Sequence, residues 1–269
     1  MLSTAIIVFR EVLEASLIVS IVMAACRGLR GRDLWVSAGI AGGLIGAAIV
    51  AAFAGAISDA AEGMGQELFN AAVLGIAVIM LGWHNVWMSS HAKELASQVS
   101  AVGKAVAAGT RPLYAVAMVI GIAILREGSE TVLFVYSIAA SSGEAGPQML
   151  AGGILGIFGG IAVGVTLYFG LLSIPMRHLF TVTNWMILFL AAGLAAQAAG
   201  FLVQADILPA LGNAIWDTSA WLSETSILGK ILHTLVGYVA APAGIQILFY
   251  LTTLTIIGVL MRVYAPVRR

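Results

Sequence analysis

Seven stretches of roughly 20 apolar residues, near 2–25, 34–57, 68–88, 113–139, 149–172, 183–203 and 243–263, limit what this chain can become more than any other feature. Each is long enough, as a helix, to cross a hydrocarbon core about 30 Å thick. In lipid the backbone must satisfy its own hydrogen bonds, which a helix does within one segment. The expected fold is an all-α polytopic membrane protein with seven transmembrane helices in a single domain, 1–269. Only 10% of the residues are charged and 61% are hydrophobic, against about 25% charged in soluble domains. The 31 glycines supply small surfaces through which helices pack in lipid, where no hydrophobic drive pulls them together. The single cysteine, Cys26, excludes an internal disulfide, and no Cys/His spacing suits zinc. No positive segment precedes the first apolar run, so 2–25 reads as a span and not as a cleaved signal.

The connecting segments give a direction. Arg27, Arg30, Arg32, Lys93, Lys104, Arg111, Arg177, Arg262, Arg268 and Arg269 all fall on one side of a seven-span chain. The other side carries Lys230 with Asp59, Glu62, Glu67, Glu144, Asp206, Asp217 and Glu224. Lysine and arginine stay on the cytoplasmic side, so the N-terminus is expected outside, the C-terminus in the cytoplasm, and the protein in a cell membrane, as in the bacterial inner membrane. Spans one to three and four to six then form candidate inverted halves, about 1–111 and 112–205, a 3+3 inverted repeat plus one. An outer loop, 206–242, leads to the seventh helix, 243–263. Transporters often bind cargo near the midplane between such halves.

Two spans carry charge. Arg10-Glu11-Val12-Leu13-Glu14 lies in the first and Arg126-Glu127-Gly128-Ser129-Glu130 in the fourth. A charge near the bilayer centre costs ~2.5–3.5 kcal/mol on insertion scales, so six in two apolar helices need a purpose. Residues three and four apart share a helix face, which makes Glu11 and Glu14 neighbours, with Arg10 in reach of Glu14, and likewise for Glu127, Glu130 and Arg126. Where the two helices cross, four carboxylates meet two guanidiniums, and the formal negative excess wants a cation. Carboxylate oxygens are hard ligands for small, highly charged metal ions; without metal the cluster can hold protons that a metal displaces. Arg10 and Arg126 orient the acids and balance their charge, Gly128 leaves room for close approach, and Ser129 and Thr131 offer further oxygens. The competing readings are a pair of self-neutralised helix contacts, a proton relay, and a proton-coupled transporter or exporter of another cargo such as an amino acid or another divalent metal. A sensor that binds metal without moving it is a further class; no nucleophile–base constellation supports an enzyme.

These motifs resemble those of the oxidase-dependent iron permeases, fungal high-affinity and bacterial Efe-type, whose hallmark is Arg-Glu-x-x-Glu in the first and fourth helices. Gly65-Gln66-Glu67-Leu68-Phe69, Trp216-Asp217-Thr218-Ser219, Gly237-Tyr238, Pro242, Gln246 and Tyr250 are similar to the bacterial branch. The resemblance implies inward transport of iron, as Fe3+ or Fe2+, with Glu11, Glu14, Glu127 and Glu130 as metal ligands and no permanently bound cofactor. It implies partners outside the membrane, an oxidase or peroxidase and a cupredoxin-type protein, besides iron ions and the lipid bilayer; no nucleic acid is expected. Asn70 stands where the family often carries a second acid after Glu-Leu-Phe.

Other polar residues have plainer readings. Asp59, Glu62 and Glu67 are candidates for an outer mouth that gathers cations, or for a solvated loop. Asp217 and Glu224 read as loop structure. His84 and His91, seven apart near the cytoplasmic end of the third span, read as ordinary boundary residues before a release role. Gln197 and Gln204 read as helix glue. Residues 89–110 are expected to leave the membrane as a cytoplasmic helix or hairpin. In the outer loop an amphipathic 227–236 segment lies among interface anchors Trp216, Trp221 and Tyr238.

Overall fold

The computed structural model describes residues 1–61, 65–142, 146–169, 176–224 and 226–264, apart from the side chains of 57–61, 89, 92, 93, 141, 142, 167, 176–180, 227, 234 and 235. Among the described residues the elements are eight α-helices: α1 (Leu2–Ala25), α2 (Arg32–Ala61), α3 (Gln66–Ala107), α4 (Tyr114–Ser142), α5 (Gly146–Tyr168), α6 (Met176–Gln204), α7 (Ile227–Val236) and α8 (Gly244–Val263). Five segments are long and apolar enough to cross a membrane: Arg32–Ala56, Gln66–Met88, Gly146–Thr166, Thr181–Gln204 and Gly244–Val263. The outward faces of these helices are apolar, with Ile45, Phe53, Ile79, Phe158 and Val259 all exposed, a surface that water would penalise and lipid accepts. The chain is a multi-pass membrane protein. Helices α1 and α4 have the length, 24 and 29 residues, and differ from the five in carrying three charges each within their apolar run.

Glycine sets how the helices pair. A methyl at Gly43 of α2 would sit 2.7 Å from Ile124 Cβ of α4, and one at Gly128 of α4 would sit 2.6 Å from Ala47 Cβ of α2. On the other flank, a methyl at Gly156 of α5 would lie 2.7 Å from the Ala5 carbonyl of α1, and one at Gly160 would lie 2.8 Å from Val12 Cβ. Residue numbers rise together along both seams, so α2 runs parallel to α4 and α1 parallel to α5. Helix α1 lies antiparallel to α4: Ile7 shares a buried cluster with Phe134 and Ile138, and Val22 and Cys26 share another with Val116 and Ile120. Helix α6 packs against α3 and α8 through Leu188, Ala191, Leu194 and Ala198.

Helix α3 is longer than its apolar part. It runs unbroken for 42 residues, about 63 Å at 1.5 Å per residue. Of the two forms expected for 89–110, helix or hairpin, the segment takes the helix, as a continuation of α3 that ends before Gly109, whose φ of 73° closes it. The Cys26 thiol at the end of α1 donates to the Gly103 carbonyl of α3 at 3.4 Å, which keeps the late part of α3 against the bundle.

The outer loop is ordered by side chain to backbone bonds. Ser226 caps α7, accepting from the Gly229 N–H at 2.9 Å, and Gly237 ends it at φ 69°. Tyr238, expected as an interface anchor, is partly buried and donates to the Leu222 carbonyl at 2.8 Å, so it fastens the loop internally. Trp221 is exposed.

Substitutions at the two seams test this packing. Gly43→Val and Gly160→Val should each lower the thermal unfolding midpoint in detergent by several degrees, as forced overpacking costs about 1–3 kcal/mol. Gly42→Ala and Gly153→Ala, where an added methyl meets nothing within 4 Å, should leave it unchanged.

Candidate functional site

Both charged motifs sit on one helical turn each, and the antiparallel crossing of α1 and α4 brings them face to face. Arg10 is 1% exposed. Its Nη1 donates to Glu11 Oε1 at 2.7 Å, and its Nη2 lies 2.8 Å from Glu14 Oε1 as an ion pair outside hydrogen-bond geometry. On α4, Arg126 Nε donates to Glu130 Oε1 at 3.1 Å and stands 3.9 Å from Glu127 Oε1. The two arginines differ in setting. Arg126 is partly exposed and its guanidinium lies over the Trp87 ring of α3 at 4.7 Å, a cation–π contact.

A third helix joins them. His84 of α3 is 3% exposed, with Nε2 3.4 Å from Glu14 Oε2 and Nδ1 against Glu130 Oε2. Glu11, His84, Glu127 and Glu130 each present one ligand atom, all within 4.8 Å of one another. Two ligands facing each other across a small cation at about 2.1–2.4 Å lie about 4.2–4.8 Å apart, so the spacing fits one ion. Glu11 Oε2 and Glu127 Oε2 are buried without a hydrogen-bond partner, while Glu130 Oε2 and the two His84 ring nitrogens meet only one another and Glu14. Buried polar atoms are almost always paired, so unpaired carboxylate oxygens here set the cluster apart from an ordinary helix contact.

All six motif residues therefore meet in one cluster. Ser129 and Thr131 do not join it: each hydroxyl donates to a carbonyl of its own helix, Leu125 at 2.6 Å and Glu127 at 2.8 Å. Gly128 does serve close approach, toward α2. Of the outer acids, Glu67 is exposed in the first turn of α3, where a negative charge suits the helix N-terminus; it is not part of the buried cluster. The Asp59 side chain and the whole of Glu62 lie outside the described residues. His91 is exposed and stacks on Trp87 at 5.2 Å. Gln197 meets His233 of α7 at 3.2 Å, joining α6 to the loop, whereas Gln204 is exposed. Asp217 accepts from the Ser219 N–H at 2.9 Å, and Ser219 holds its carboxyl below the usual range. Glu224 accepts from the Ala240 N–H at 2.6 Å; both acids serve loop structure.

The residue that sequence reasoning passed over is His84. The third span does end at Met88, and His84 reads as an ordinary residue near that end; its ring instead turns inward to Glu14 and Glu130 of two other helices. A histidine inside an apolar helix at the depth of two charged motifs was the available signal.

The sequence pattern of the iron permease FTR1 family matches residues 1–267. The chain belongs to that family. It is 33% identical over 243 residues to the ferrous iron permease EfeU of Escherichia coli O6:H1 and, at the same identity, to that of Escherichia coli O157:H7, covering 88% of this chain and 87% of each relative. It is 31% identical over 250 residues to the ferrous iron permease EfeU of Yersinia pestis, covering 91% and 87%. No solved structure matches. The family is one of permeases, transporters and not enzymes.

Arg10 is the group whose loss the site tolerates least. Removing one partner of a buried ion pair costs about 3–5 kcal/mol because the other charge stays buried and unpaired. Arg10→Gln should sharply lower the unfolding midpoint in detergent, and Arg10→Gln with Glu11→Gln should recover part of the loss, read by differential scanning fluorimetry.

Proposed function

We propose that this protein imports iron ions across the cytoplasmic membrane through a carboxylate site made by its two Arg-Glu-x-x-Glu motifs. The observation that carries the reading is the convergence of Glu11, Glu127 and Glu130, from two opposed helices, within 4.8 Å of one another, with Glu14 beside them on Arg10. Membership of the iron permease family and the names of its EfeU relatives support iron as the cargo. Glu11, Glu127 and Glu130 act as translocation ligands, and Glu14, the fourth glutamate of the motifs, stands beside them on Arg10. Arg10 and Arg126 orient them and keep an ion-free cluster from carrying four uncompensated negative charges. Iron is substrate, and the protein needs no resident cofactor.

Helices α1 and α4 span the membrane with the five apolar segments, giving seven crossings with α7 as a short amphipathic element of the outer loop. The pairing of α1 with α5 and of α4 with α2 supports two inverted halves, since each motif helix packs on the middle helix of the other half. The N-terminus lies outside and the C-terminus in the cytoplasm. Asp59, Glu62 and Glu67 form an outer mouth that raises the local cation concentration. An oxidase or peroxidase with a cupredoxin-type partner delivers iron there.

Uptake into proteoliposomes tests the site. Glu11→Gln and Glu127→Gln should each cut iron accumulation by at least about ten-fold, one lost interaction of roughly 1.4 kcal/mol, with the protein still folded and inserted; full uptake by both variants would overturn the reading. Topology has its own readout. In a Cys26→Ser background, an impermeant maleimide added to intact cells should label Asn213→Cys and spare Ala108→Cys.

A further inference from the structure

The four motif glutamates are not equivalent in the structure, and the difference assigns a role to His84. Glu14 is held by Arg10 Nη2 at 2.8 Å and faces His84 Nε2 at 3.4 Å. It does not belong to the set whose ligand atoms lie within 4.8 Å of one another, and His84 does. The imidazole thus turns one nitrogen to Glu14 and the other, Nδ1, toward Glu130 and the cluster. Metal-binding histidines almost always hand their second ring N–H to a carboxylate, which fixes the ring and its tautomer. The Glu14–His84 pair has that form. His84 is 3% exposed, and its two ring nitrogens face these carboxylates.

We infer that His84 Nδ1 is a direct ligand of the transported cation, completing a shell with Glu11, Glu127 and Glu130, while Glu14 positions the imidazole. The inference rests on the proposed cation site and deepens it by naming the class of ion. Oxygen-only shells suit Mg2+ and Ca2+, whereas an imidazole nitrogen shifts preference to first-row transition cations. One nitrogen among three carboxylates therefore favours a first-row transition ion over the alkaline-earth ions of the medium. The selecting group comes from a helix that carries neither motif.

Mn2+ is the probe, since its pulsed EPR spectrum reports a coordinated 14N nucleus. Full-length protein in detergent, loaded with Mn2+, should show imidazole 14N coupling, and a variant with His91, His178 and His233 all changed to Gln should keep it. His84→Gln should retain Mn2+ binding, lose the coupling, and lose about ten-fold in preference for Mn2+ over Ca2+ in competition. Glu14→Gln should keep the coupling and weaken Mn2+ binding by about ten-fold, as for other carboxylate partners of ligating histidines. Saturable Mn2+ binding without 14N coupling in the wild type would overturn the role of His84 and leave the carboxylate site standing. No saturable binding at all would overturn both. The wild-type spectrum decides the matter even where His84→Gln does not fold.

Discussion

Burying a guanidinium between two carboxylates is the constraint around which the first helix is organised. Arg10 is 1% exposed, with Glu11 and Glu14 each within 3 Å on the same helix. A charge buried alone in an apolar interior is untenable, and a pair survives there only with good geometry and further partners. One guanidinium cannot satisfy two glutamates and leave nothing over. The surplus negative charge reaches across to α4, and that helix brings its own surplus with Arg126 placed at the edge, over Trp87. Helices α1 and α4 are thereby bound to meet at this depth, and α3 is drawn in because His84 lies between Glu14 of one and Glu130 of the other.

Much of this was legible in the residues because lipid simplifies the rules. Apolar length located α1 at Leu2–Ala25, and an amphipathic pattern located the short α7 at Ile227–Val236, where Ser226 and Gly237 cap both ends. The grouping of the six motif residues followed from helical spacing together with an antiparallel crossing. The continuation of α3 past Met88 was legible too, since lysine, glutamate and alanine are good helix formers. The partners of His84 were not: Glu14 and Glu130 reach it only through the packing of α3 against α1 and α4, which spacing along one helix does not show. Which glycines form seams was equally out of reach: Gly42 and Gly43 are neighbours in sequence, yet only the second has α4 against it.

The site is lopsided although its motifs are matched. On one flank α3 fills the space beside α4 and contributes an imidazole. On the other, between α1, α5 and α6, an apolar-walled cavity of about 500 Å³ reaches Arg10, lined by Ala5, Phe9, Val182 and Met186. Water gains little from such walls, so Arg10 stays committed to its two glutamates, while Arg126 keeps an exposed side. Two copies of one motif have thus acquired different surroundings, one guanidinium buried and one partly exposed.

The glycine seams have a mechanical meaning. Because α1 is locked along α5 and α2 along α4 at backbone distance, each pair behaves as a single bar, and the carboxylate cluster lies where the two bars cross. Pulling the first three helices away from the next three would tear both seams at once. Sliding one bar over the other breaks neither, and it changes the separation of Glu11 from Glu127 directly. The cluster therefore sits on the contact between the two glycine-seamed pairs and not within either of them.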